Sequence, residues 1–454
     1  MKRLSLFLSF ALLCATGVFA QRTSRIYRTP FVSYDVRADA DAARRESSQA
    51  YSLVMLKKAA ATGGSAAYTG ILTVPELWLD RRITLHTDGN TGGMRLFVNG
   101  NFAGESSDSR SGAEFDITRH VNFGVNAIAL EISEEFGGGE MERTLTHGYS
   151  PVEGRVWVSA QPIISIQDYS VAAVRDTTGR DGVLMLDIAV RNGFRTDETF
   201  SVGYDIYTPE GKLRNYNVRE VSVPRLGTDT VRFVEAVWSA GKWLWSVAKP
   251  NLYKVMLYIK YGGKVIEYVP LKVGFGTGEF TADGFYRNGE KVELSAVAYN
   301  ASSPKDAEEK LLAFKRRGIN TVCVDFPQPS WFYDMCDSRG FYVLDAANIH
   351  ADPKGGDRGP KGTVANNPEY LDEFLDRVRS AYSRDRNRTC VIGWSLGSDS
   401  GNGYNMYKAY LWMKNADSIR PVIYVGADGE WNSDLPPFEV RSVDQVMKIM
   451  PRRR

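Results

Sequence analysis

The sequence predicts a multidomain β plus α/β protein: two β-sandwich modules followed by an incomplete (βα)8 barrel of about five βα units. Three observations carry this. Short β-type segments broken by turn residues fill positions 51–273. From Gly274 onward, strand-like and helix-like segments alternate strictly, as right-handed βαβ units on a parallel sheet require. No glycine-rich phosphate fingerprint follows the first strand of that region, which favours a barrel over a nucleotide-binding sheet.

The chain has 454 residues, 43% hydrophobic and 24% charged, ordinary globular usage that admits several domains. Forty-two glycines and 12% aromatics suit turn-rich β modules. Residues 1–20 read as a secretory signal. Lys2 and Arg3 precede an apolar run, and Val18-Phe19-Ala20 supplies a small-x-small cleavage site. The expectation is an exported protein of the periplasm or cell envelope, with no transmembrane segment. Without that signal the net charge falls from +2 to about zero, so nothing points to nucleic acid or an anionic membrane. The remaining cysteines, Cys323, Cys336 and Cys390, are odd in number and lack CxxC spacing, so they read as small buried residues.

Residues 21–50 are polar and read as an extended leader. The first sandwich is expected over 51–165, with candidate strands Tyr51–Leu56, Ala67–Val74, Ile83–Thr87, Met94–Val98, Glu114–Ile117, Ala127–Ile132 and Arg155–Val158. Asn99-Gly100 between apolar runs is a strong hairpin signal. The second module, 166–273, has the size and strand spacing of an immunoglobulin-like sandwich. The barrel part, 274–454, predicts strands at Val292–Val297, Asn320–Phe326, Phe341–Ile349, Val391–Leu396 and Pro421–Gly426. Helices are predicted over Pro304–Arg317, Ser330–Arg339, Pro368–Arg386, Gly403–Ala416 and Ser442–Met450.

Several segments are more specific. They include Phe97-Val98-Asn99-Gly100, Glu114-Phe115-Asp116-Ile117-Thr118, Leu244-Trp245-Ser246, Pro250-Asn251-Leu252-Tyr253 and Phe285-Tyr286-Arg287-Asn288-Gly289. In the barrel part come Gly340-Phe341-Tyr342-Val343-Leu344-Asp345, Ala347-Asn348-Ile349 and Trp394-Ser395-Leu396-Gly397-Ser398-Asp399-Ser400-Gly401. In this order, over roughly residues 66–430, the series resembles glycoside hydrolase family 2, the β-galactosidase group. The resemblance implies a jelly-roll sugar-binding module, an immunoglobulin-like module and a catalytic TIM-type barrel. It also implies a retaining mechanism with two carboxylates about 5–5.5 Å apart at the ends of barrel strands.

The resemblance assigns the acid/base to the Glu of W-S-L-G-N-E-S, where this chain has Asp399, one methylene shorter. Asp399 reads either as a weakened acid or as a polar strand-end residue satisfied by nearby backbone. The Asn beside it, a sugar contact in the family, is Ser398; Asn300 and Asp325 stand where the family has histidines. The Glu and His that hold Mg²⁺ in β-galactosidases correspond to His350 and Asp352, so the family's Mg²⁺ site is altered and no cofactor is expected. Pro327, Cys336, Asp337, Gly340, Asp345, Asn348, Trp394 and Gly397 match the family's framework. Asn348 and Trp394 join Asn300, Asp325 and Ser398 as candidate substrate contacts, and Trp394 and Trp331 read either as stacking rings or as core residues. The implied nucleophile lies two strands beyond Pro421–Gly426. After Asp399 only Glu430 and Glu439 are glutamates, and both lie in loop-like sequence.

Three readings stay open. One is a family-2 fold with an impaired site, still binding carbohydrate. Another is an exo-glycosidase completed by a partner chain or cut short in its frame. The last is an envelope structural or assembly protein reusing the fold. Ser442–Met450 before Arg452-Arg453-Arg454 reads as a natural end, which favours the first and third. Five parallel strands would leave two open edges and an exposed apolar face. A homo-oligomer or a partner protein is therefore expected on the half-barrel.

Overall fold

A computed structural model describes residues 25–59, 66–88, 93–133, 138–145, 156–435 and 439–448. The signal-like residues 1–20 lie outside the described residues. Among the described residues no helix is long and apolar enough to cross a membrane.

Two five-stranded antiparallel sheets form the first module. One runs, in spatial order, Arg25–Ile26, Ala113–Asp116, Arg82–Thr87, Val156–Gln161 and Tyr51–Val54; the other runs Lys57–Ala59, Ala66–Val74, Gly124–Ser133, Gly93–Val98 and Asn101–Ser106. Alternate residues such as Leu72, Leu85, Leu96, Phe115, Ile128 and Val158 fill the core between them. The Asn99-Gly100 hairpin forms as expected, with both residues at positive φ, 51° and 80°.

From Arg25 onward, the segment expected as an extended leader is structured instead. Arg25–Ile26 adds an edge strand to the first module, and Arg37–Ala42 forms a short helix. Its side chains then reach all three modules. Arg28 bonds Glu114 at 2.6 Å and the Gln167 carbonyl at 3.1 Å, while Thr29 Oγ1 donates to the Ser383 carbonyl at 3.1 Å. Further along, Arg37 pairs with Asp205 at 2.8 Å.

A three-stranded and a four-stranded antiparallel sheet make up the second module. They are Ile164–Arg175, Gly182–Asn192, Thr228–Val237, and Leu213–Val223, Glu198–Tyr207, Tyr253–Tyr261, Lys264–Val273. This seven-stranded sandwich is the expected immunoglobulin-like arrangement.

The predicted strand Val292–Val297 is divided. Glu290–Val292 closes a small antiparallel sheet with Gly278–Thr281 and Gly284–Arg287, and the first barrel strand is only Ala296–Ala298. Thr321–Cys323, Tyr342–Ala346, Val391–Ser395 and Val422–Ile423 follow it in parallel register. The helices match their signals. Pro304–Arg316 starts at a Ser303 cap with Pro304 at its first position, and Ser330–Arg339 stops at Gly340 in the left-handed region.

The two edges expected of a five-stranded sheet are each partly covered. Val440–Arg441 adds a sixth parallel strand beside Ala296–Ala298. At the other edge, Asp434 N donates to the Val422 carbonyl at 2.8 Å, and Val422 N donates to Asp434 Oδ2 at 2.7 Å. Tyr424 N donates to Ser433 Oγ at 3.1 Å. The strand residues are buried or half-buried throughout, apart from Val440. The six-stranded sheet stays open, ending on two short strands, Val422–Ile423 and Val440–Arg441, and its strand faces are covered among the described residues.

Candidate functional site at the barrel mouth

The residues just past the barrel strands gather at one end of the parallel sheet, where the C-terminal ends of strands meet. Asn300 follows the first strand and Asp325 the second. Their side chains are locked together: Asn300 Nδ2 donates to Asp325 Oδ2 at 2.6 Å, and Asp325 N donates to Asn300 Oδ1 at 3.0 Å. Buried Gln328 adds a third bond, donating to Asn300 Oδ1 at 3.1 Å. Asp325 itself is exposed, so its free carboxylate edge faces solvent at the mouth.

His350 follows the third strand and is 4% exposed. Its Nε2 donates to the Asp325 carbonyl at 2.9 Å, so that nitrogen carries the proton. Burial lowers the His350 pKa, and the nearby Arg110 and Arg377 add to this, so the ring is neutral near pH 7. Asp352 Oδ1 accepts from Lys354 N at 2.9 Å and caps its own loop. Among the described residues no group of three or more His, Cys, Asp or Glu side chains is placed to hold a metal. At these two positions of the family's metal ligands, His350 Nε2 is bonded to a backbone carbonyl and Asp352 Oδ1 to a local turn.

Asn348 is fully buried and does not face an open mouth. Its Nδ2 donates to Asp108 Oδ1 at 2.9 Å and to Glu142 Oε1 at 2.8 Å, both from the first module. Arg377 Nη2 reaches the same Glu142 oxygen at 3.3 Å. Burial raises the Glu142 pKa despite Arg377, whereas Arg377 and Arg25 outweigh burial at Asp108 and hold its carboxyl low. Asn348 is therefore a joint between modules, not the substrate contact expected.

Of its two readings, Trp394 takes that of a core residue. It is fully buried, its Nε1 donates to Asp417 Oδ2 at 2.8 Å, and the Arg420 guanidinium lies 4.7 Å from its ring centre. It offers no open face for stacking. Trp331 is half-buried, edge-on to Phe332. The three cysteines are free, with Cys336 and Cys390 buried and Cys323 half-buried, as expected.

Ser398 and Asp399 sit on a tight loop after the fourth strand. Gly397 has φ 95°, and a Cβ there would lie 2.2 Å from the Ile349 carbonyl oxygen, which is why the motif carries glycine. Ser398 N donates to that same carbonyl at 3.0 Å. Asp399 is exposed, and its Oδ1 accepts from Gly401 N at 3.0 Å. Tyr424, from the end of the fifth strand, accepts from Ser400 N at 3.1 Å and donates to the Gly401 carbonyl, fixing the loop from below. Of the two late glutamates, Glu430 is held by Arg358 and by Tyr407 Oη at 2.6 Å. Glu439 is exposed, 3.7 Å from Arg441.

The structure thus brings Asn300, Asp325 and His350 into one bonded group and anchors Ser398 to the loop of Asn348. Asp108, Glu142, Gln328 and Tyr424 were not singled out from sequence. Loops and a strand end deliver them, with no local pattern to mark their convergence.

Three family models match the chain in the same order as its modules. Residues 49–140 match the sugar binding domain of glycosyl hydrolases family 2, 164–275 match glycosyl hydrolases family 2, and 300–451 match that family's TIM barrel domain. The chain belongs to glycosyl hydrolase family 2. The β-galactosidase of Priestia megaterium is 30% identical to this family-2 chain over 382 residues, covering 79% of the chain and 36% of the relative. That of Aeromonas hydrophila is 30% identical over 410 residues, 86% of the chain and 39% of the relative. The family-2 chain therefore spans little more than a third of the length of these curated relatives. Among solved structures, Bacteroides uniformis β-glucuronidase superposes with TM-score 0.69 at 18% identity, over 80% of this chain and 46% of that one. A Bacteroides vulgatus β-glycosidase gives 0.67 at 21%, over 81% and 47%. At such identities these two likenesses speak for the fold.

Proposed function

We propose that this family-2 chain binds a β-glycoside of the galactoside or glucuronide type at the barrel mouth, and that its own turnover is impaired. One observation carries the reading. Asp399 stands at the acid/base position of the motif, exposed at the mouth, with one carboxylate oxygen tied to Gly401 N–H at 3.0 Å. Its side chain is one methylene shorter than the glutamate the motif calls for, so the proton donor falls short by about 1 Å, a displacement that costs on the order of 10²-fold in rate. The reciprocal Asn300–Asp325 bonds hold Asp325 with its other carboxylate oxygen open to solvent at the mouth, able to accept from a sugar hydroxyl. The two curated relatives named above are β-galactosidases, which motivates the substrate class. The signal-like residues 1–20 support export of the chain.

The test is hydrolysis of nitrophenyl β-galactoside and β-glucuronide by the purified chain, alongside calorimetric titration with the parent sugars. Binding without turnover above background is expected. Turnover that vanishes in Asp399→Asn would overturn the impairment, and no heat with any sugar would overturn the binding.

A further inference from the structure

The stacking ring that Trp394 cannot provide is present elsewhere on the rim. Trp431 lies in the loop after the fifth barrel strand and is 54% exposed. An indole so exposed is usually loose, but this one is clamped. Tyr407 lies 5.2 Å from it at a 32° interplanar angle, and Tyr410 meets it edge-on at 5.5 Å. The residues on either side of it are fastened too. Glu430 accepts from Tyr407 Oη at 2.6 Å and from Asn402 Nδ2 at 3.3 Å, and pairs with Arg358. Asn432 and Asn402 exchange amide bonds at 2.9 and 3.2 Å.

This loop borders the acid/base position. A Cβ on Gly426 would lie 2.7 Å from Asp399 Oδ1, and Asn402 stands three residues beyond Asp399. The arrangement has the components that recognise a pyranose. A rigid indole takes the C–H face of the ring, and a charged pair at its side offers donors and acceptors to the hydroxyls. Arg358 is half exposed and Glu430 about a quarter, so both can be reached from solvent. Holding the ring in place beforehand avoids the entropy of ordering it on binding.

We propose that Trp431, framed by Arg358 and Glu430, is the stacking platform of an oligosaccharide subsite. It takes the sugar unit adjoining the one bound at Asp399. The inference rests on the β-glycoside reading above and adds that the ligand is longer than one unit.

The experiment measures the ratio of β-linked trisaccharide to monosaccharide affinity by calorimetry on the full chain, for galactose- and glucose-based series. In the unaltered chain the ratio is expected to exceed 10. It should fall about tenfold in Trp431→Ala and recover in Trp431→Phe, with melting temperature recorded for each variant. A trisaccharide that binds no better than the monosaccharide overturns the platform while leaving the mouth reading intact. So does a ratio unchanged in Trp431→Ala. Absence of binding by every saccharide overturns both.

Discussion

Asn348 and Glu142 are joined by a 2.8 Å hydrogen bond that ties the end of the third barrel strand to a loop of the first sandwich. The same amide also serves Asp108 at 2.9 Å, so one buried donor quiets two carboxylates. His350 N donates to the Met141 carbonyl at 2.6 Å, and Thr144 N donates back to the His350 carbonyl at 2.9 Å. The floor of the candidate site is thus assembled from two modules and requires both.

Replacing Asn348 by Ala is expected to cost about 1–2 kcal/mol, because two buried carboxylates each lose one of their donors. Asn348→Asp should be worse at neutral pH, since it crowds a third carboxylate against Asp108 and Glu142, and should recover on acidification. Urea unfolding at pH 5 and pH 7.5 measures both. A variant as stable as the parent at both pH values would show that the joint is dispensable.

Gly397→Ala is expected to displace the loop carrying Ser398 and Asp399. The added methyl would meet the Ile349 carbonyl at 2.2 Å, and the backbone there is left-handed at φ 95°. The cost should exceed about 2 kcal/mol, from overlap and strain together. Thermal melting reads the stability loss, and sugar titration reads the loss of the mouth.

Glu267 gives the stability a pH slope. It is fully buried in the second module, accepting from Ile166 N at 2.6 Å and Gln161 Nε2 at 2.9 Å, and burial raises its pKa to about 7. The folded state therefore binds the proton more tightly than the unfolded state. Its contribution is full below the unfolded value near 4.5 and declines as pH rises to about 7, by up to roughly 3 kcal/mol. Unfolding free energies across pH 4.5 to 8 should show this decline, and Glu267→Gln should flatten it.

Asp434 guards the last strand edge. Its carboxylate accepts from Val422 N at 2.7 Å, from Tyr410 Oη at 2.5 Å and from Lys414 Nζ at 2.9 Å. Asp434→Ala should bare that edge and promote self-association, seen as a rise in scattered mass and dye binding at unchanged concentration. An unaltered scattering profile would mean that Ser433 and the Asp434 backbone are cover enough.

What the sequence by itself determined is whatever local chemistry decides. Asn99-Gly100 specifies a hairpin because both positions tolerate positive φ. Ser303-Pro304 starts a helix, and Gly340 ends the next, because capping and backbone freedom act within a few residues. The alternation of strand and helix after Gly274 made the parallel sheet legible, and the Trp394–Gly401 motif marked the loop that carries Asp399. Tertiary structure alone decided what those residues face. Trp394 reads as a stacking ring or a core residue in the motif and is buried against Asp417 and Arg420, whereas Trp431, in a loop with no motif, is exposed. Asn348 reads as a sugar contact but spends its amide on Asp108 and Glu142, partners more than two hundred positions away. The strand Val440–Arg441, two residues long, has no periodicity of its own and exists because Ala296–Ala298 offers it an open edge. Burial, edge pairing and joints between modules are set by which surfaces meet after folding, and no window of neighbouring residues contains that information.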